Sequence, residues 1–369
     1  MKNRSVPGTP NLLRLVNRNT ILMLLEQMEL TSRTELSNLT GLSVPTVSAV
    51  VKDLLEEGWV EEVPGGISHG GKPPQLIKLN PDARLIGAVQ MNEDKARIWI
   101  TNLAGRIYAV DELTIGKDSA KSLCTKTANR LKQLIETNSL KDKPFLGVGV
   151  AVPGVVSDKG TVSNAPEFGW DDEPIQQYFS DVLNFDVIVE NDVRLAVMGE
   201  SWRRKGIRET IVYVHLSKGI GAGILIDGML YRGFHFAAGE IGHMIVNPSD
   251  IKEPVNNKSF NERQGYFESQ YGLKNLESAD EEKKERILKH IAYGVVNIIS
   301  LLDPEIIVFG GEMTTKIENF LEKLTKFIKS IINIYPEMYI TPLGNDASLF
   351  GATKIVLENQ KSLVTWTNM

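Results

Sequence analysis

The apolar positions near the N-terminus fall at helical spacing. Ile21, Leu24, Leu25 and Met28 lie on one face of "NRNTILMLLEQMEL", which predicts an amphipathic helix. Leu36 and Leu39, then Val47, Val50 and Leu54, repeat that period in two shorter runs, 33–39 and 44–57. A tight turn at Thr40-Gly41-Leu42 separates them, Ser43 is a natural N-cap, and Pro45 is tolerated in a first turn. After Gly58 the pattern switches to strands, 59–63 and 75–79, around the loop "PGGISHGGKPP". Two short helices, a glycine-bearing turn and a hairpin predict a winged helix-turn-helix.

Asn80-Pro81 marks a second change of pattern. Residues 85–112 read as three antiparallel strands, with Gly105 in the second turn. A helix over 118–138 follows. "FLGVGVAVPGVV" is then too apolar for a strand with one exposed face, so it is expected to be central. The remainder predicts strand 186–190, helix 192–204, strands 210–216 and 222–227, helix 281–302, strand 305–309, helix 315–332 and a last helix at 347–358. This alternation predicts α/β lobes, and the similar hairpin starts at 85–112 and 210–232 predict a duplicated lobe. Glycine-rich turns at 151–156, 217–223 and 308–313 follow strands, and Asn191-Asp192 stands at a strand tip that opens a helix. Such turns and tips are expected to share a ligand cleft.

Length and charge narrow the picture. A chain of 369 residues exceeds one ordinary domain. Cys124 is the one cysteine, so no disulfide framework is expected, and no apolar run approaches the roughly 18 residues of a membrane span. The N-terminus lacks a signal-peptide core, so a cytoplasmic protein is expected. The net charge of −5 argues against nucleic-acid binding by the whole molecule but leaves room for one basic face. Lys2, Arg4, Arg14 and Arg18 all precede the first acid, Glu26. Arg33, Ser43, Thr46, Ser48 and Lys52 are the candidate groove-facing residues, and Lys72 on the wing is the candidate backbone contact. The charges of this head nearly cancel, so two heads on one duplex are expected, hence a homodimer, with a tetramer as the larger alternative.

Four stretches carry a resemblance: "GVGVAVPGVVSDKGTVSNAPEFGW", "ENDVRLAVMGE", "SKGIGAGILIDGMLYRGFHFAAGEIGHMIV" and "LLDPEIIVFGGEM". In this order they resemble the ROK family of sugar kinases and sugar-responsive repressors, over about 85–355. A winged helix ahead of such a body is similar to the xylose-repressor and N-acetylglucosamine-repressor branch. The resemblance implies an α/β fold: a winged helix-turn-helix at 1–80 and a two-lobed, actin-like (sugar kinase, ribonuclease H-like) body at 81–369. Its lobes are expected at about 81–195, with the C-terminal helix, and 196–345. Asn191 and Asp192 match the family pair that holds sugar hydroxyls, Asp192 being the general base in the kinases. Glu240, His243 and Glu268 match further sugar-side residues. Phe168 and Trp170 are candidates to cover a sugar ring.

The departures matter as much. The kinase phosphate signature is replaced by "QMNEDKA" at 90–96, which puts Glu93 and Asp94 where triphosphate oxygens would lie. Like charges there disfavour ATP. Ser259, Asn261 and Tyr266 stand at the family's zinc-cysteine positions, so no metal and no cofactor are expected. The loop 248–262 is polar and expected to be mobile. Glu167 replaces a common asparagine and adds an acceptor. The expectation is a repressor, not an enzyme, that binds double-stranded operator DNA and a small sugar and does not meet a membrane. An ATP-dependent sugar kinase with a DNA-binding head is the alternative.

Overall fold

A computed structural model describes residues 10–65, 75–116, 118–165, 167–206, 208–247, 265–277 and 279–362. The N-terminal part consists of helix α1 (Pro10–Gln27), strand β1 (Thr31–Ser32), helices α2 (Arg33–Thr40) and α3 (Val44–Glu56), and strands β2 (Val60–Pro64) and β3 (Gln75–Leu79). The Ser32 hydroxyl caps α2 by accepting from Glu35 N, and Ser43 caps α3 by accepting from Thr46 N. Gly41 adopts the left-handed conformation (φ 70°) that lets its N–H reach Ser37 O and turn the chain between the two helices. Ile21, Leu25, Leu36, Val47, Val50, Val51, Leu54, Val60 and Ile77 form a core of their own. β3 lies between β1 and β2. These are the elements expected of a winged helix-turn-helix. The wing tip with Lys72, and the arm residues Lys2 and Arg4, lie outside the described residues.

Strands β4 (Leu85–Met91), β5 (Lys95–Asn102) and β6 (Ile107–Thr114) come next, then helix α4 (Ala120–Thr137) and strand β7 (Phe145–Val152). After them come the short ribbon β8 (Val155–Val156) and β9 (Val162–Ser163), helix α5 (Ile175–Ser180) and strand β10 (Val187–Asn191). The first five-stranded sheet has the order β10-β7-β4-β5-β6. β4 and β7 are parallel and every residue of β4 is buried, as a central strand covered on both faces must be.

Helix α6 (Asp192–Arg204) leads into the second sheet. That sheet is built from β11 (Ile211–Leu216), β12 (Ile220–Ile226), β13 (Met229–Leu230), and, beyond helices α7 (Tyr266–Tyr271), α8 (Leu273–Glu277) and α9 (Glu281–Leu302), β14 (Ile306–Gly310). Helices α10 (Met313–Lys316) and α11 (Phe320–Ile331) precede the edge strand β15 (Glu337–Ile340), and α12 (Ala347–Ser362) ends the fold. The order β13-β12-β11-β14-β15 repeats the first sheet: an antiparallel three-strand start, then two strands added in parallel on the far side of the first. The duplicated lobe expected from the two hairpin starts is present.

α6 and α12 lie between the two sheets. Leu195, Val197, Leu349 and Ala352 pack with Ile86 and Trp99 of the first sheet and with Ile211, Tyr213 and Val308 of the second, in one shared core. α6 therefore runs unbroken through the point near 195 where the lobes were expected to divide. The helix expected over 315–332 is instead two helices: Ile317 is extended and Asn319 is left-handed (φ 55°), which stops α10 and restarts the chain as α11. The loop 248–262 lies outside the described residues, and none of the described helices is long and apolar enough to cross a membrane.

Candidate functional site

The tip of β10 and the first turn of α6 place the candidate carboxylates. Asn191, not Asp192, is the N-cap of α6. Its Oδ1 accepts from Val193 N and Arg194 N, both at 3.0 Å, and its Nδ2 donates to Gly154 O at 3.0 Å. A side-chain amide has two N–H donors, so Asn191 keeps one for a ligand hydroxyl. Asp192 is the first helical residue, and its Oδ1 accepts from Val193 N at 2.9 Å. Burial pushes its carboxyl up to about 7, the Val193 N–H opposes that rise, and the charges of Glu167 and Glu240 add to it. Three carboxylates thus share one electrostatic neighbourhood.

Glu240 reaches that neighbourhood from the second lobe. Gly239, at φ 93°, is held against β12 by the hydrogen bond from Ala222 N to its carbonyl (2.7 Å), and a Cβ there would stand 1.9 Å from Ala222 O. Only glycine fits this approach. The turn delivers Glu240 and then a short 3-10 turn, Ile241–His243. Burial raises the Glu240 carboxyl above the usual range, His243 and Arg194 lower it, and Glu167 raises it. His243 is exposed beside it. Glu268, on α7, backs onto the same turn: its Oε2 lies 3.0 Å from where a Cβ on Gly242 would be. Glu167 is exposed on the loop before Phe168. Phe168 stacks on Trp170 at 4.2 Å, but Trp170 is 3% exposed and belongs to the core of the first lobe. Of the two aromatic candidates, Phe168 retains a partly open side.

A second set of residues at this tip was not singled out from the sequence. Glu190 and Arg194, 3% and 2% exposed, form an ion pair at 3.0 Å, and Arg232 closes on Glu190 at 2.6 Å. Arg194 also donates to Phe236 O. The spacing "ENDVR" carries the i, i+4 signal of such a pair, but nothing in the pattern says that it is buried. The network ties the 231–243 loop of the second lobe to β10 and α6 of the first. Breaking it would leave a buried charge, the costly outcome for such groups.

Two of the three glycine-rich turns, 217–223 and 308–313, meet the β4–β5 turn through charges, while the turn at 151–156 meets Asn191 through Gly154 O. Lys218, in the β11–β12 turn, pairs with Glu93 of the β4–β5 turn at 3.0 Å. The Glu93 hydrogen bond and charge raise the Lys218 ammonium above its usual value, and Glu312 and Asp94 add to the rise. An acid of the β4–β5 turn thus holds the lysine of the β11–β12 turn. Of the residues expected at the family's zinc-cysteine positions, Ser259 and Asn261 lie outside the described residues, while Tyr266 opens α7. A tyrosine at a ligand position does not suit a thiolate zinc site, and no cluster of three or more His, Cys, Asp or Glu residues among those described could hold a metal.

The head differs from expectation in its charges. Arg14 and Arg18 do not form a free basic arm: they pair with Asp53 (2.5 Å) and Glu57 (2.6 Å) of the α3 end and bind α1 to α3. Arg33 pairs with Glu62 of β2 at 2.6 Å. Ser43 serves as the α3 cap, and its hydroxyl lies 2.8 Å from that of Thr46. Thr46 and Ser48 are half-buried on the flanks of α3. Its outward stripe is Pro45, Ala49, Lys52 and Glu56, all exposed, with Lys52 the cation on that stripe.

Residues 86–359 match the family model described as ROK family, and residues 20–61 match the one described as Winged helix-turn-helix DNA-binding. The chain is 28% identical over 403 residues to a xylose repressor of Caldicellulosiruptor bescii, covering 96% of this chain and 98% of that protein. It is 26% identical over 300 residues to a glucokinase of Halalkalibacterium halodurans, covering 70% of this chain and 91% of the other. Its fold is similar to the crystal structure of a ROK family transcriptional regulator described as a homologue of the Escherichia coli MLC protein, with a TM-score of 0.79, 16% identity and coverage of 96% and 98%.

Proposed function

Because the chain belongs to the ROK family and carries a winged helix-turn-helix ahead of that body, we propose that it is a sugar-responsive, DNA-binding transcriptional repressor. The fusion of a DNA-reading segment to a sugar-kinase-like body in one chain is the observation that carries this reading. Residues 1–80 are the head and 81–369 the effector-binding body. Asp192 and Glu240 accept hydroxyl protons, the remaining Asn191 N–H donates to a hydroxyl oxygen, and His243 and Glu268 complete the polar wall. A carboxylate suits adjacent hydroxyls because charged acceptors make the stronger hydrogen bonds. The relatives named as xylose repressors make D-xylose the first sugar to try. Two heads of a homodimer read a palindromic operator in the cytoplasm, and the sugar shifts the equilibrium between operator-competent and incompetent arrangements through its unequal affinity for them.

The test is operator binding by fluorescence anisotropy, with and without D-xylose and a panel of other free sugars. Release from DNA by one member supports the reading. Operator binding unaffected by every sugar points instead to a constitutive DNA-binding protein.

The alternative, an active sugar kinase, draws on one observation: a carboxyl poised at about 7 suits a general base. Glu93, Asp94 and Glu312 around Lys218 speak against it, since their like charge disfavours a triphosphate there. Incubation with ATP and the same sugars decides, with sugar phosphate as the overturning product.

A further inference from the structure

The effector carboxylates and the DNA-reading head lie at opposite ends of one helix. α6 runs from Asp192 to Arg204, thirteen residues that span about 20 Å at the α-helical rise, and Lys205 is its C-cap. Lys205 Nζ lies 3.6 Å from Glu29, just beyond α1 of the head.

α12 crosses α6 backbone to backbone. A Cβ on Gly199 of α6 would stand 2.1 Å from Ala347 O, and one on Gly351 of α12 would stand 1.8 Å from Leu195 O. On the opposite side, a Cβ on Gly149 of β7 would meet Ala352 O at 2.0 Å. At these points no side chain lies between the backbones to absorb a displacement by changing rotamer. Close-packed contacts of this kind transmit strain.

One turn further along, α12 meets the head. Lys354 Nζ lies 2.7 Å from Glu26 of α1, with the two side chains 15% and 17% exposed. The Lys354 ammonium also stands 5.9 Å from the centre of the Trp202 ring on α6. Nearby, Trp59 packs in the head core and in the interlobe core, with Arg18 of the head and Arg84 of the body over its ring at 5.7 and 5.0 Å.

We propose that Lys354 and Glu26 are the positioning residues that couple the effector site to the DNA-reading head, with α6 and α12 moving as one body between them. The proposal rests on the sugar-responsive reading above and names its route. Lys205–Glu29 is too exposed to hold an angle, because water screens such a pair. Lys354–Glu26 is mostly shielded, so a shift of α12 moves α1 or breaks the pair.

The experiment uses the full chain with Lys354→Glu, Glu26→Lys and the double exchange. The probes are D-xylose and an operator duplex selected by the wild-type protein from random DNA. In Lys354→Glu the affinity for D-xylose stays within about threefold of wild type, while the sugar-induced change in operator affinity falls by about tenfold or more; the double exchange recovers most of it. Amide hydrogen exchange of α1 without sugar rises by about tenfold in Lys354→Glu and returns in the double exchange. A full sugar response in Lys354→Glu overturns the proposal, and so does unchanged α1 exchange, which needs no ligand. A wild-type protein indifferent to D-xylose and to every other sugar overturns the underlying reading, a result distinguishable from either of these.

Discussion

Replacing Asp192 by asparagine removes a charge without removing the acceptor that meets Val193 N. The Asp192 carboxyl moves from 3.8 to about 7 in the folded protein, chiefly through burial. Each pKa unit corresponds to 1.36 kcal/mol, so the ionised group costs the fold at most about 4 kcal/mol above pH 7. Partial exposure of the side chain and its bond to the helix N-terminus trim that figure to an expected gain of roughly 1–3 kcal/mol for Asp192→Asn at pH 8. The sign follows from proton counting. The folded state holds the proton more tightly than the unfolded one, so wild-type stability is full below about pH 4 and falls as the pH rises to about 7. The stabilisation by Asp192→Asn should therefore be small at pH 4, grow through pH 6, and level off above pH 7. Urea unfolding at pH 4.5, 6 and 8, with an unchanged m-value, measures it. A constant difference across that range, or a variant less stable than wild type at pH 8, would refute the electrostatic account of this site. Binding should show the opposite trend. If the ionised carboxylate accepts sugar hydroxyls, sugar affinity in the wild type rises between pH 6 and pH 8, and Asp192→Asn loses both the affinity and the trend.

Three further outcomes follow from named contacts. Lys52→Ala should weaken operator binding on all sequences alike and lower the slope of log affinity against log salt by about 1, measured by titration at several salt concentrations; an unchanged slope places Lys52 off the duplex. Glu190→Ala should destabilise the protein by about 3–5 kcal/mol in urea unfolding, because it leaves Arg194 buried without its partner; a loss below about 1 kcal/mol would mean that the carbonyl of Phe236 satisfies Arg194 by itself. Glu93→Ala should cost under about 1 kcal/mol, since the Glu93–Lys218 pair is largely exposed, and should yield no sugar phosphate from ATP; phosphate transfer by that variant would show that a single charge had silenced a working kinase.

How much of this was legible depends on what the sequence pattern records. The helix-turn-helix could be read because its signals are local: helical spacing, the Ser43 cap and a glycine in the turn. The two sheets could be read as hairpin starts and apolar runs, and the repeat between 85–112 and 210–232 is the same strand order twice. β15 and the α10–α11 break could not, because a short edge strand carries little apolar signal and a left-handed Asn319 leaves none. At the site, "ENDV" and "GEIGHM" pointed to Asp192 and Glu240, but the pattern could not say that Asn191 is the residue that caps the helix. Arg14, Arg18 and Arg33 looked like free cations along the chain. Their partners Asp53, Glu57 and Glu62 are 29 or 39 residues away, beyond any local pattern.

The proposed sugar residues gather at the β10 tip and the turn at 239–243, whereas the Glu93–Lys218 pair joins the β4–β5 and β11–β12 turns, and a sensor needs only the first set. Phosphoryl transfer needs a cation-rich, glycine-lined cradle facing the carboxylate that activates the hydroxyl. Here Glu93, Asp94 and Glu312 surround Lys218, so acids outnumber the cation and a triphosphate is disfavoured there. Asp192 and Glu240 are two half-buried carboxyls raised by desolvation and by a shared neighbour, Glu167. Hydrogen-bond donors from a sugar offset that desolvation only in the arrangement that holds them close, which is the differential affinity a switch requires. Asp192 starts α6, and in the coupling proposed above α6 and α12 carry a change at the cleft to the head through the shielded Lys354–Glu26 pair. A carboxylate that merely capped a helix would have no such leverage; Asn191 is the cap, which leaves Asp192 available for the proposed sugar contact.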